Sequence, residues 1–389
     1  MSRSGKSETK GRQPVPTGEY AVGTTTYTVY NDREEVLAPG TMRSIPARIY
    51  YPVSRSSVEG MPKARYMSKD MAMALKKSMH APINYEKSEA AGENIFDCYA
   101  DAPKIPGAKF PLIVFNHAFS SYREANSFLC IELASHGYVV LSVSHPYDAT
   151  CSEADDGTKI LMSRDAGKKQ YEPFLPGVLS VMKLTKSKGS NRELAEKFDR
   201  IQKKYCAYIN QRLNEWVKDT LSAVRYAKEK YSDLIDFDCG IGVTGHSMGG
   251  ATAYLLCLDH DEYVCGANLD GAIFGDHMGK IMRKPFLQIS CRTNFSAETR
   301  PYIDHAAVVY GALFEKMQHL GFSDMKHMVP IKALVGKLDA DILHENVCRL
   351  HLYLFDTCLK KMDRPMPDGS ENVTITVYRP DAKSSEAEG

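Results

Sequence analysis

The sequence lacks the features that mark several large classes of protein. It has no run of about 18 consecutive apolar residues in its 389 residues, which excludes an ordinary transmembrane helix. Lysine plus arginine number 49 and aspartate plus glutamate 48, so the formal charge of +1 gives no general attraction to nucleic acid. The first 18 residues are polar and basic, without the apolar centre of a secretory signal. We therefore expect a soluble, cytoplasmic protein that has no nucleic-acid partner.

The ten cysteines show no spacing that is typical of a metal site or a disulfide framework. They are scattered from Cys98 to Cys358 without CxxC pairs and without Cys/His ligand spacing. The closest pair, Cys257 and Cys265, is interpreted as two buried small apolar side chains. The cysteines are therefore expected to be reduced thiols.

The hydrophobic pattern predicts an α/β protein. Segments 19–32 and 44–53 alternate β-forming and polar residues around a Gly/Pro-containing turn, which predicts an N-terminal antiparallel hairpin. Further along the chain, continuous apolar runs alternate with helical patterns, as in a mostly parallel sheet with helices on both faces. These runs are KFPLIVFNH (109–117), YVVLSVSH (138–145), CGIGVTG (239–245), YVCGANLD (263–270) and KPFLQISC (284–291).

We expect a single domain over residues 19–378, with insertions at about 54–107 and 146–190 and disordered tails at 1–18 and 379–389. Each insertion holds an apolar stretch with lysines around it, at 61–80 and 173–182. In the first stretch Met67, Met71, Leu75 and Met79 recur at helical spacing. A lid helix packed on the body is the favoured interpretation, and transient contact with a membrane interface is the alternative.

The pentapeptide Gly245-His246-Ser247-Met248-Gly249 follows a predicted strand and precedes a predicted helix. This placement is typical of the nucleophile elbow of the α/β-hydrolase fold, in which a tight turn exposes the serine at the edge of the sheet. The alternative is a serine that caps an ordinary helix. The elbow predicts Ser247 as nucleophile and the Met248 N–H as an oxyanion donor. The second donor is expected from the loop after an early strand, at the backbone N–H of Phe119.

In this fold the serine is followed along the chain by an acid and then by a histidine, both at the C-terminal ends of later strands. Asp270 ends the run YVCGANLD, whereas the next run has no carboxylate until Glu298, which favours Asp270 as the acid. For the base, His344 and His351 lie in a predicted last helix, and a helical interpretation of 302–320 includes His305 and His319. His327 follows a glycine break in a predicted loop and is the preferred base, with the other four left open.

Several segments together resemble the platelet-activating factor acetylhydrolase family, in its monomeric plasma/type II branch and bacterial homologues. They are PLIVFNHAFSSYR (111–123), GYVVLSVSHPYDAT (137–150), GVTGHSMGGATAYLLCLD (242–259), YVCGANLDGA (263–272) and the run from His327 to LFDTCLKK. The resemblance implies an α/β-hydrolase fold and calcium-independent hydrolysis of short or oxidised acyl groups. It places the triad on Ser247, Asp270 and His327, with oxyanion amides at Met248 and Phe119.

These residues predict a serine ester hydrolase that acts on a small-molecule or phospholipid ester, most simply as a monomer. The mechanism needs no metal and no organic cofactor. A general carboxylesterase of the same fold is the nearest alternative. An alternative of another class is a catalytically inactive α/β-hydrolase that serves as a binding module.

Overall fold

The computed structural model describes residues 13–79, 84–165, 168, 174–329 and 331–380. The predicted tails lie largely outside these ranges, at 1–12 and 381–389. The strands are β1 Ala21–Val29, β2 Ile45–Val53, β3 Lys63–Arg65, β4 Ile95–Ala100, β5 Phe110–Asn116, β6 Val139–Val143, β7 Cys151–Glu153, β8 Lys159–Leu161, β9 Ile235–His246, β10 Tyr263–Leu269, β11 Phe286–Cys291, β12 Val309–Phe314 and β13 Val373–Tyr378.

The α-helices whose bounds are defined are α1 Lys69–Met79, α2 Tyr85–Ala90, α3 Ser127–Ser135, α4 Phe174–Thr185, α5 Asn191–Tyr205, α6 Ala207–Lys230, α7 Met248–Asp259, α8 Met325–Met328, α9 Lys332–Val335 and α10 Ala340–Cys358. Short 3₁₀ turns lie at Arg55–Val58, Phe295–Ala297, Arg300–Tyr302 and His319–Phe322. Among the helices of the described ranges, none combines the length and apolar character needed to cross a membrane.

In the described part of the chain, eleven strands form one sheet in the order β13-β12-β11-β10-β9-β5-β6-β2-β1-β4-β3. The six strands from β12 to β6 pair in parallel, so their C-terminal ends meet at one edge. The antiparallel pair β1 and β2 confirms the predicted N-terminal hairpin. Since the central strands are covered on both faces, they are apolar throughout rather than alternating.

The core lies on both faces of the sheet. On β5, Ile113 and Phe115 pack into a cluster with α3 and α10, whereas Leu112 and Val114 pack into a second cluster with α6 and α7. Trp216 of α6, the single tryptophan, is fully buried in the second cluster. This layered arrangement confirms the predicted α/β-hydrolase fold, with the strand–turn–helix at Ser247 near the centre of the sheet.

The two insertions pack on the body. In α1, Met71 and Leu75 are buried in the first core cluster, while Met73 is half exposed. In the second insertion, α4 packs against α5 and the turn Phe295–Ala297. This places a helix of the second insertion next to the segment that follows Asp270. Contact with a membrane interface stays a prediction.

One predicted element is wrong. The stretch 302–320 is not a helix, because Val309–Phe314 form β12, a parallel strand between β11 and β13. The chain therefore reaches the C-terminal edge of the sheet once more, directly before His319. This difference changes which histidine lies at the site.

Candidate active site

Ser247 lies at a sharp turn between β9 and α7. Its backbone has φ 57° and ψ −121°, a left-handed conformation that costs a non-glycine residue free energy. Its N–H donates to the Leu269 carbonyl at 2.9 Å, which fixes the turn to the neighbouring strand. A Cβ at Gly249 would lie 2.0 Å from the Asn116 carbonyl oxygen, so only glycine allows the helix to start this close to β5. The turn presents the serine at the C-terminal edge of the sheet, as predicted.

Asp270 is the first residue after β10 and is 1% exposed. One carboxylate oxygen, Oδ1, accepts the Cys291 backbone N–H at 2.5 Å. The other, Oδ2, accepts the Asn294 amide at 2.7 Å and lies 2.7 Å from His319 Nδ1. Several donors therefore stabilise the ionised form and fix its orientation.

His319 lies between Asp270 and Ser247. Its Nδ1 faces Asp270, and its Nε2 lies 2.9 Å from Ser247 Oγ. Because a carboxylate only accepts, Nδ1 carries the ring proton and leaves Nε2 free to accept from the serine hydroxyl. This is the tautomer that a general base requires.

The geometry therefore contradicts the prediction of His327 as the base, because His319 lies between Ser247 and Asp270. His327 lies in the short helix α8, with its ring centroid 5.4 Å from that of Phe128 and 5.8 Å from that of His344. The physical reason is that Val309–Phe314 form the strand β12 rather than a helix. The loop after this strand therefore brings His319 to the sheet edge, eight residues before His327. The fold brings the predicted residues Ser247 and Asp270 together, and the histidine that contacts both is His319.

His246, which precedes Ser247, contacts His319 and was missed by sequence reasoning. Its Nε2 donates to the backbone carbonyl of His319 at 3.0 Å, and the two rings lie 4.8 Å apart. Burial, and then the proximity of His319, lower the pKa of His246 well below its usual value, so its ring is neutral. The signal that could have found it is its place beside Ser247 in the pentapeptide. Asn294 and Cys291 gave no such signal, because they reach Asp270 only through the fold.

The loop after β5 packs against the start of α7. His117 Nε2 accepts the His145 backbone N–H at 3.1 Å, so its proton is on Nδ1, which donates to the Ala118 carbonyl at 2.7 Å. Burial lowers the pKa of His117 to about 3, which keeps this neutral tautomer. In a trans peptide the N–H points opposite to the carbonyl. The Phe119 N–H therefore points away from the His117 ring.

A buried polar cluster supports this loop. The backbone carbonyl of Asp148 accepts the Ser120 N–H at 2.9 Å, and its carboxylate accepts from Arg212 and from the Trp216 indole N–H. Nearby, the His145 ring stacks on Trp216 at 3.9 Å and lies 2.9 Å from Asp219. Burial lowers the pKa of His145 to about 4. The cluster is a rigid base for residues 116–120 rather than a reactive site.

No group of three or more His, Cys, Asp or Glu side chains within the described ranges is arranged to hold a metal ion. The predicted absence of a cofactor stays a prediction.

Comparison with known proteins identifies the family. The family model described as "Platelet-activating factor acetylhydrolase, isoform II" matches residues 5–300 of this chain. The chain belongs to this family. The match includes Ser247 and Asp270 but ends before both His319 and His327, so family likeness alone did not decide between the two histidines.

Relatives within the platelet-activating factor acetylhydrolase family are distant. The acetylhydrolase of Canis lupus familiaris is 27% identical over 274 residues, which are 67% of this chain and 55% of that protein. That of Cavia porcellus is 22% identical over 253 residues, which are 62% of this chain and 56% of that protein. The chain thus spans about half the length of the curated relatives it matches.

A solved structure has a similar fold. A ferulic acid esterase from Streptomyces cinnamoneus superposes with a TM-score of 0.68, covering 93% of this chain and 98% of that one, at 20% identity. At this identity the likeness concerns the fold. It agrees with the α/β-hydrolase architecture of this family member.

Proposed function

We propose that this protein is a carboxylic ester hydrolase in which Ser247 is the nucleophile, His319 the general base and Asp270 the orienting acid. The observation that carries the proposal is the chain of hydrogen bonds from Ser247 Oγ to His319 Nε2 (2.9 Å) and from His319 Nδ1 to Asp270 (2.7 Å). It lies at a strained elbow between a strand and a helix, where a nucleophile is exposed to substrate. Membership of an acetylhydrolase family supports the same reaction class.

The reaction proceeds by two acyl transfers. Ser247 Oγ attacks the ester carbonyl carbon while His319 Nε2 takes the hydroxyl proton, and the resulting imidazolium gives that proton to the leaving alkoxide. Water then attacks the acyl-serine, again losing its proton to His319, and the serine is released with the carboxylic acid. Asp270 stays ionised and stabilises the imidazolium in both steps.

The backbone N–H groups of Met248 and Phe119 are proposed as the oxyanion donors. Met248 is the first residue of α7, where a backbone N–H has no acceptor within its own helix. The Phe119 N–H is directed by the hydrogen bond that the His117 ring makes to the Ala118 carbonyl. The close approach of Gly249 to Asn116 and His117 supports placing the two donors beside one another. Removing one such donor typically costs about 10²–10³-fold in kcat.

The proposed substrates are short-chain acyl esters of the platelet-activating factor or phospholipid sn-2 type. The matched family and the printed names of the relatives support this class. A general carboxylesterase would use the same triad without preference for a phospholipid headgroup. Hydrolysis of p-nitrophenyl esters of increasing chain length, measured beside a short-acyl phosphatidylcholine, separates the two. Indifference to the headgroup would refute the narrower proposal.

Labelling with a fluorophosphonate probe tests the nucleophile. We expect a covalent adduct on the wild-type protein and none on Ser247→Ala. Ser187→Ala, which removes a partly exposed serine hydroxyl in the second insertion, is the matched control and should label like the wild type. An adduct that persists in Ser247→Ala would refute Ser247 as nucleophile. A folded wild-type protein that neither labels nor hydrolyses any ester would favour the inactive binding module.

A further inference from the structure

A second carboxyl group lies beside Asp270 and has no part in the acyl transfer described. Glu298 follows the 3₁₀ turn Phe295–Ala297 and is 0% exposed. Burial, and then the charge of the neighbouring Asp270, raise the pKa of Glu298 well above its usual value. In the sequence, Glu298 is the first carboxylate after the run KPFLQISC. In the fold, the Ile273 N–H donates to the Ala297 carbonyl at 3.1 Å, which joins the segment after Asp270 to the segment before Glu298, and the two carboxyl side chains lie within hydrogen-bonding reach of each other.

The surroundings of Glu298 provide little for a negative charge. The Gln288 amide donates to Oε2 at 3.2 Å, and Oε1 accepts no hydrogen bond from any described residue. Apart from Asp270, the titratable groups that face it are the Cys291 thiol and the Tyr302 phenol, and burial raises the pKa of both. No ion pair of Glu298 occurs within the described ranges. An ionised Glu298 would thus be a second, uncompensated buried anion next to Asp270.

The hydrogen bonds indicate which carboxyl group is ionised. Asp270 accepts from the Cys291 N–H, the Asn294 amide and His319, and the Cys291 thiol lies 3.4 Å from Oδ2. Glu298 accepts from the Gln288 amide and from the Ser290 hydroxyl, and both donors are neutral. Because donors favour the ionised form, Asp270 is the anion and Glu298 keeps the proton. Oε1, which accepts no hydrogen bond from the described residues, has room for that proton.

We propose that Glu298 is a positioning residue for the triad: it stays a carboxylic acid and donates a hydrogen bond to the ionised Asp270. This inference rests on the proposed function, since it concerns the acid of that triad. The pair then has a net charge of −1, which matches the +1 imidazolium that forms on His319 in each transition state. An ionised Glu298 would raise the charge of the pair to −2, and a protonated Asp270 would no longer fix the His319 tautomer.

The test compares Glu298→Gln with Glu298→Ala by the pH dependence of kcat and KM on p-nitrophenyl acetate from pH 5 to 9. An amide reproduces the donor, whereas alanine removes it. We expect Glu298→Ala to lose about tenfold to a hundredfold in kcat with a smaller change in KM, and Glu298→Gln to recover most of that loss. Glu262→Gln is the matched control, because this carboxylate is partly exposed, pairs with Lys228 and precedes β10 at the strand end opposite Asp270.

The low-pH limb of the kcat/KM profile distinguishes between Glu298 as a proton donor, as a buried charge and as a purely structural residue. If Glu298 is already protonated, Glu298→Gln changes no charge, and the midpoint of that limb stays in place or rises slightly. If Glu298 is ionised, Glu298→Gln removes a buried anion near His319 and lowers the midpoint by about one unit or more, which would overturn the proposal. Equal losses in both variants would also overturn it. Should Glu298→Ala fail to fold, Glu298→Gln alone still decides through this midpoint.

The two proposals fail in distinguishable ways. Absence of fluorophosphonate labelling and of hydrolysis in the folded wild-type protein contradicts the proposed function itself. Normal labelling of the wild type, loss of labelling in Ser247→Ala and a lowered midpoint in Glu298→Gln contradict only the role of Glu298.

Discussion

Replacing His319 with alanine removes the imidazole that lies 2.9 Å from Ser247 Oγ. General-base catalysis contributes about 10²–10⁴-fold, and a triad histidine acts together with its serine, so we expect a loss near 10⁴-fold in kcat/KM. This corresponds to about 5 kcal/mol of transition-state stabilisation. The assay is steady-state hydrolysis of p-nitrophenyl acetate at pH 8, with fluorophosphonate labelling as a second measure. The His319→Ala protein should remain folded, because the ring is about a third exposed.

His327→Ala is the matched comparison for His319→Ala. It removes an edge-to-face contact with Phe128, which is worth about 0.5–1.5 kcal/mol of stability. Because His319 already occupies the position between Ser247 and Asp270, we expect His327→Ala to lower the melting temperature slightly and to leave the triad intact. If His327→Ala lost as much activity as His319→Ala at equal folded content, or if His319→Ala kept more than a tenth of wild-type activity, the assignment of the base would be refuted.

Two further predictions concern stability and the elbow. Burial holds the pKa of His351 at about 4, so an unfolded chain binds a proton below pH 6.5 that the folded chain does not. From pH 7 to pH 5 this group alone lowers the free energy of unfolding by roughly 2 kcal/mol, so urea unfolding of His351→Gln should show a weaker pH dependence, and parallel curves would contradict this. Gly249→Ala should abolish fluorophosphonate labelling, because the new Cβ would lie 2.0 Å from the Asn116 carbonyl oxygen, and normal labelling kinetics would contradict the elbow geometry.

The elements that the sequence predicts well are those whose signal is local. Strands β5, β6, β10 and β11 and the second half of β9 are buried on both faces, so each appears as a short apolar run followed by a turn residue. The nucleophile turn has its own steric signature in Gly245 and Gly249. Asp270 follows from its place at the end of an apolar run. These features need no knowledge of distant contacts.

The histidine beside Ser247 was mispredicted because β12 is ambiguous in sequence. Val309, Ala312 and Phe314 are buried, and apolar residues spaced in this way suit one face of a helix as well as a strand. Gly311 and the pairing with both β11 and β13 decide for the strand, and the second of these is a long-range contact. The expectation that the histidine follows a late strand agrees with the position of His319 after β12. It was applied to the wrong segment.

The groups around the triad could not be predicted for a different reason. Asn294 and Cys291 reach Asp270 across more than 20 residues of sequence, and Glu298 lies beside it only because a 3₁₀ turn folds back over the end of β11. Side-chain hydrogen bonds of this kind depend on rotamers and on packing. No periodic pattern in the sequence predicts these hydrogen bonds.

The hydrogen bond from His246 to the His319 carbonyl limits how this site can be rebuilt. The residue before Ser247 donates a hydrogen bond to the backbone of His319, the proposed base. A loop transplanted into the place of the His319 loop therefore needs a hydrogen-bond donor at position 246. A library that randomises position 246 also changes the orientation of His319.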